Sequence, residues 1–147
     1  MERIAETKRL ARESGRAVQV WTPIGVVCRP TQQEAEEFTD YIIRHADAGA
    51  VGNVAEMAER SRLQRGEAGV MARRTGEGAL ERRVLARGAY CAIGDPDEVT
   101  RHLALLSEVG FDGVVLNFVN FLVEFPYFAQ EVLPRLEGKG LRTKLEA

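Results

Sequence analysis

The run "GFDGVVLNFVNF", residues 110–121, places two carboxamides where an apolar strand ends. Val114 to Leu116 read as a strand buried on both faces, and Asn117 and Asn120 follow it. A carboxamide both donates and accepts hydrogen bonds. A pair of them can hold the polar edge of a bound molecule, or can bind turn backbone. In parallel α/β proteins functional groups gather at the carboxyl ends of the strands, which is where Asn117 falls. A second place of interest is "AVQVWTPIGVVC", residues 17–28. Trp21, the only tryptophan, shares a strand face there with Gln19 and Gly25. A small residue beside a large aromatic makes room for a flat ligand, and ordinary core packing is the competing reading. Trp21, Gly25, Asn117 and Asn120 are therefore the candidate pocket residues.

Other reactive groups lead nowhere specific. His45 and His102 lie on predicted helices among charged neighbours and read as surface residues. Cys28 and Cys91 have no nearby Cys or His at ligand spacing, so they read as buried free thiols with no metal. "IGDPDEV" has the strand, Gly and helix-start geometry that can hold a phosphate. Asp95, Asp97 and Glu98 already place negative charge there, which favours a capped helix. No G-x-G-x-x-G, G-x-x-x-x-G-K-[ST] or G-x-S-x-G motif is present. No residue is singled out as catalytic.

The elements that position these residues alternate. Residues 2–13 read as a helix stopped by Ser14-Gly15. Residues 17–28 read as a strand with Val18, Val20, Ile24 and Val26 on one face. Pro23 lacks a ladder donor, which predicts a bulge there. Thr31 and Glu34 form a T-x-x-E box that starts a helix near residue 32, with Ala35, Phe38, Ile42 and Ala46 on one side. Residues 47–88 form an excursion of short helices, about 51–62 and 66–86, in which arginines mix with glutamates as a solvated face. Residues 89–93 read as a strand. Asp95 then caps a helix with Pro96 at its first position and Glu98 closing a D-x-x-E box. Val99, Leu103 and Leu106 give its inner face, and Gly110 ends it. A strand over 112–118 and a final helix with Phe128, Val132 and Leu136 inward complete the chain. Pro134 predicts a kink in that helix, and Gly138 its end.

Strands and helices joined by short turns make βαβ units and a parallel sheet. The predicted strand order follows the sequence, with all helices on one face. The 147 residues, 45% hydrophobic and 29% charged, suit one soluble domain. The net charge of -2 gives no reason to expect nucleic acid or an anionic membrane as partner. No run reaches the ~20 apolar residues of a membrane span, and the N-terminus has no secretory core. A cytoplasmic location is the expectation.

Two stretches, "PIGVVCRPTQQEAEEF" and "AIGDPDEVTRHLALLSEVGFDGVVLNFVNFLVEFPYFAQEVLPRLEGKGLR", together resemble the C-terminal part of luciferase-like flavin-dependent monooxygenases. The subgroup is the one related to alkanesulfonate, dimethylsulfone and pyrimidine-ring-opening enzymes. The resemblance implies an α/β fold, the C-terminal portion of a (β/α)8 TIM barrel. It would hold the last three strand-helix units, strands six to eight, with a helical excursion. It implies reduced FMN as cofactor, with O2 and a small organic substrate. The family's flavin contacts come mostly from earlier strands and have no matching positions here. In related sulfonate monooxygenases strand six carries Arg and His, whereas "QVWTPIGVV" carries neither. Alternatives are a deazaflavin-dependent oxidoreductase of the same superfamily, and a non-catalytic remnant or oligomerisation module. A three-strand slice would leave Trp21, Val27 and Val115 on an uncovered face. It therefore implies self-association or a missing N-terminal half. Asn117 is expected on that face, beside a mouth lined by Trp21.

Overall fold

The computed structural model describes residues 2–64, 84–85 and 89–144. In chain order the elements are α1 (Glu2–Glu13), β1 (Trp21–Cys28), α2 (Gln32–His45), α3 (Ala48–Gln64), β2 (Tyr90–Gly94), α4 (Pro96–Val109), β3 (Gly113–Asn117) and α5 (Phe121–Gly138). The predicted helix over 51–62 lies within α3, and Arg60 pairs there with Glu56 at 2.5 Å. The predicted helix over 66–86 falls almost wholly outside the described residues.

Local chemistry sets the element ends. Thr31 Oγ1 accepts from Glu34 N–H at 3.2 Å, and the Glu34 carboxylate accepts from Thr31 N–H at 3.0 Å, a complete capping box. Asp95 caps α4 by accepting from Glu98 N–H at 2.8 Å. The Glu98 side chain does not return to close the box in the same way. It ion-pairs with Arg101 instead, and its Oε1 lies 3.2 Å from His102 Nε2. Gly110 closes α4 at φ 109°, a left-handed conformation that a side chain would strain. Helix α5 runs through Pro134 as well as Pro126. Both prolines are exposed, so the carbonyls they leave unpaired face water.

The sheet is parallel, as predicted, but its order is β2-β1-β3, so the first strand is central. The predicted sequence order is wrong for a topological reason. The chain steps from β1 outward to β2, then back across β1 to β3. Right-handed crossovers in opposite directions place their helices on opposite faces. The single helical layer expected from the sequence therefore becomes two. On one face Ile24, Val26, Cys28 and Ala92 pack with Val99 and Leu103 of α4 and Phe128, Val132 and Leu136 of α5. On the other, Val27 packs with Ala35 of α2 and with Leu85, joined by Phe38, Ile42, Cys91 and Ile93.

The bulge expected at Pro23 is absent. Residues 21–25 pair one to one with residues 113–117. The Val20 carbonyl accepts from Asp112 N–H, just before β3, and the Ile24 carbonyl from Asn117 Nδ2, so alternation turns Pro23 toward β2. Pairing with β2 begins only at Ile24. The missing N–H lies below that ladder and breaks nothing.

Candidate functional site

The register fixes where the candidate residues fall. Trp21 pairs with Gly113, and Gly25 pairs with Asn117. Parallel partners share a face, so Trp21, Pro23, Gly25, Val115 and Asn117 lie on one side of the sheet. Trp21 and Asn117 stand at opposite ends of that ladder, about 13 Å apart along the strands. The structure thus brings Gly25 and Asn117 together at the carboxyl end and leaves Trp21 at the amino end. The expected mouth lined by both does not form within this sheet. Trp21 and Val115 are 54% and 52% exposed, as the open-face expectation requires. Val27 is not: it is fully buried beneath α2.

The small residue beside Trp21 is Gly113. A Cβ on Gly113 would stand 2.7 Å from the indole ring. Trp21 Nε1 donates to Gln19 Oε1 at 3.2 Å. Asn117 is exposed and donates through Nδ2 to the Ile24 carbonyl at 3.1 Å. One carboxamide thus braces the β1–β3 seam. Asn120 is the N-cap of α5, but its side chain makes no cap bond.

The cap is made by Glu124, which sequence reasoning missed. Its Oε2 accepts from Asn120 N–H at 2.7 Å, and its Oε1 pairs with Arg29 at 3.0 Å. Glu124 is buried, and the Arg29 guanidinium also covers the Phe38 ring at 3.7 Å. Arg29 follows the last residue of β1, so this pair ties the carboxyl end of the sheet to the start of α5. A glutamate four residues past the candidate Asn120 was the available signal. Each helix start at this end carries a carboxylate: Glu34 on α2, Asp95 at the cap of α4, Glu124 on α5. The free N–H groups that would hold a phosphate are thereby spoken for.

His102 is less exposed than its neighbours in sequence suggest. Tyr90 Oη contacts its Nδ1, and its Nε2 lies 3.2 Å from Glu98 Oε1. Burial holds the imidazole below its ordinary pKa, while Glu98 pulls the other way and Arg101 adds to the lowering. Burial pushes the Cys28 thiol up to about 11, so it is no nucleophile. Among the described residues no cluster of three metal-ligating side chains occurs.

No family model matches the chain. Over 130 residues it is 32% identical to the FMNH2-dependent dimethylsulfone monooxygenase of Pseudomonas fluorescens strain Pf0-1. That alignment takes in 84% of this chain and 35% of the relative. The curated relative is a flavin-dependent monooxygenase, of the family the sequence resembles. The chain spans about a third of the length of the curated relative it matches. Solved structures agree on the fold. DmoA from Hyphomicrobium sulfonivorans superposes with TM-score 0.70 at 16% identity, covering 96% of this chain and 35% of that one. A long-chain alkane monooxygenase, LadA, gives 0.62 at 19% identity over 98% of this chain and 35% of its own. These neighbours are TIM barrels, so the chain has the fold of part of one. Successive barrel strands lie side by side. The order β2-β1-β3 therefore makes β1 and β3 neighbours and sets β2 on the far side of β1. The three strands are not strands six, seven and eight in succession.

Proposed function

We propose that this chain supplies part of the barrel wall of a flavin-dependent monooxygenase that oxidises a small organic substrate with O2 and reduced FMN. The observation that carries the reading is the 32% identity along 130 residues to a dimethylsulfone monooxygenase. The open sheet face supports it. Trp21, Pro23 and Val115 offer apolar surface, and Asn117, paired with the buried Gly25, sets an exposed carboxamide at the carboxyl end. Such a wall fits the ring of a flavin or an organic substrate. The acid-capped helix starts do not fit its phosphate, which would be held by residues outside this chain. When bound, the flavin supplies the oxygen-activating chemistry. The residues here would orient the ring or substrate and exclude water. Asn117 would position a polar edge through its carboxamide, and Asn120 would stand beside it at the mouth.

The face is completed by the remaining barrel, from the same protein or another, or by self-association. Co-expression with a segment matching the remainder of the dimethylsulfone enzyme tests this. Stoichiometric FMN binding, and NADH-coupled O2 uptake with a flavin reductase and dimethylsulfone or a small alkanesulfonate, are expected. Assembly into a stable barrel that never binds flavin would make the chain a non-catalytic remnant.

A further inference from the structure

A cavity of about 330 Å³ lies on the opposite side of β3 from Val115 and Asn117, between β3, α4 and α5. Its walls are Leu103, Leu106, Leu116, Phe128, Leu133 and Leu136, and it reaches the main core. Phe128 is 1% exposed, so the floor is deep. The mouth carries Trp21, exposed Ser107, Asp112 and Arg142. Its charges are already matched. Asp112 binds Lys8 at 2.7 Å and accepts from Val20 N–H at 2.7 Å. Arg142 pairs with Glu137 at 2.6 Å. A charged ligand would have to break one of these pairs, whereas an uncharged apolar one leaves both intact. Apolar cavities of roughly 150 Å³ stay dry and take up benzene. This one is about twice that size, in the range of small-molecule sites.

We infer that the cavity between β3, α4 and α5 is a binding site for an uncharged apolar molecule of about two fused rings, which shares with the open sheet face only Trp21 at its mouth. Trp21 edges its mouth, with Gly113 leaving the indole flat against the strand. The only tryptophan is therefore a built-in reporter.

The test uses two fluorescent probes with the same ring frame, neutral N-phenyl-1-naphthylamine and anionic 8-anilino-1-naphthalenesulfonate, titrated into the full chain. The neutral probe is expected to bind saturably at one site, at least ten-fold tighter than the sulfonate, with energy transfer from Trp21. Naphthalene should displace it. Leu133→Trp, which fills the cavity, should weaken binding at least ten-fold. Methyl NMR shifts on naphthalene addition should centre on Leu106, Leu116 and Leu133, a reading that needs no variant to fold. Equal or tighter binding of the sulfonate overturns the inference. So do shifts centred on the exposed group Val119 to Val123, or a probe expelled as the chain self-associates. The last result would make the cavity a seam between polypeptides.

Discussion

At the residue scale, the carboxamides and the buried pair divide the labour differently from what their types suggest. Asn117 Nδ2 donates to the Ile24 carbonyl at 3.1 Å, with a longer 3.4 Å contact to the Val115 carbonyl, and the residue is exposed. Replacing it with Leu removes one neutral hydrogen bond, about 1 kcal/mol. Asn117→Leu should therefore lower stability by no more than that in urea melts, while flavin affinity of a completed barrel falls. A stability loss above about 2 kcal/mol with flavin affinity unchanged would make Asn117 a purely structural brace. Glu124 is the opposite case. Its loss strands the Arg29 guanidinium and the Asn120 N–H together. Arg29 keeps some solvent contact, so Glu124→Ala should cost about 2–3 kcal/mol, below the full penalty for breaking a buried pair. His102 carries a pH signature. Burial lowers its pKa in the fold, whereas the unfolded chain titrates near 6.5. As pH falls through about 6.5, the unfolded state takes up a proton that the folded state resists, so stability is present above that pH and declines below it. Urea midpoints at pH 7.5 and pH 5.5 should differ more for the parent chain than for His102→Asn.

At the element scale, the sequence was most legible where structure is local. The Thr31–Glu34 box, the Asp95 cap and the Gly110 stop each depend on residues within one helical turn, and each formed where the residue types indicated. The inward stripe Phe128, Val132 and Leu136 followed from the 3.6-residue period alone. What could not be read was how elements pass one another. Nothing in residues 89–93 says on which side of β1 that strand lies, because residues 47–88 intervene and either edge accepts a parallel partner. That one choice decides the helix layers, and with them the burial of Val27. The Trp21–Gly113 contact was equally invisible, since it depends on register between strands about ninety residues apart in sequence. It can now be tested. Gly113→Ala puts a Cβ within 2.7 Å of the indole. The half-exposed ring can swing away, so the cost should stay near 1 kcal/mol. Trp21 emission should shift as the ring leaves the strand. Unchanged emission would mean the ring does not lie on Gly113.

At the scale of the whole molecule, the open surface follows from the partial barrel. Among the described residues, strands β2 and β3 each have one unpaired edge. Trp21 and Val115 stand exposed on the sheet, and Val119, Phe121, Leu122 and Val123 stand exposed around the start of α5, with Leu122 at 85%. Exposed apolar side chains of this kind and free strand edges favour association. In sedimentation the isolated chain should self-associate at micromolar concentration, and the weight-average mass should fall on dilution. The region around Leu122 can be probed without disturbing the core, because a side chain this exposed makes few contacts and its replacement changes stability by only about 0.5 kcal/mol. Leu122→Glu puts a charge into that surface, and burying it against a second copy would require desolvation. The variant should stay monomeric to at least ten-fold higher concentration, with unchanged circular dichroism. A parent chain that sediments as a stable monomer throughout would mean that the exposed face is tolerated in water. The case for a missing or second polypeptide would then rest on sequence similarity alone.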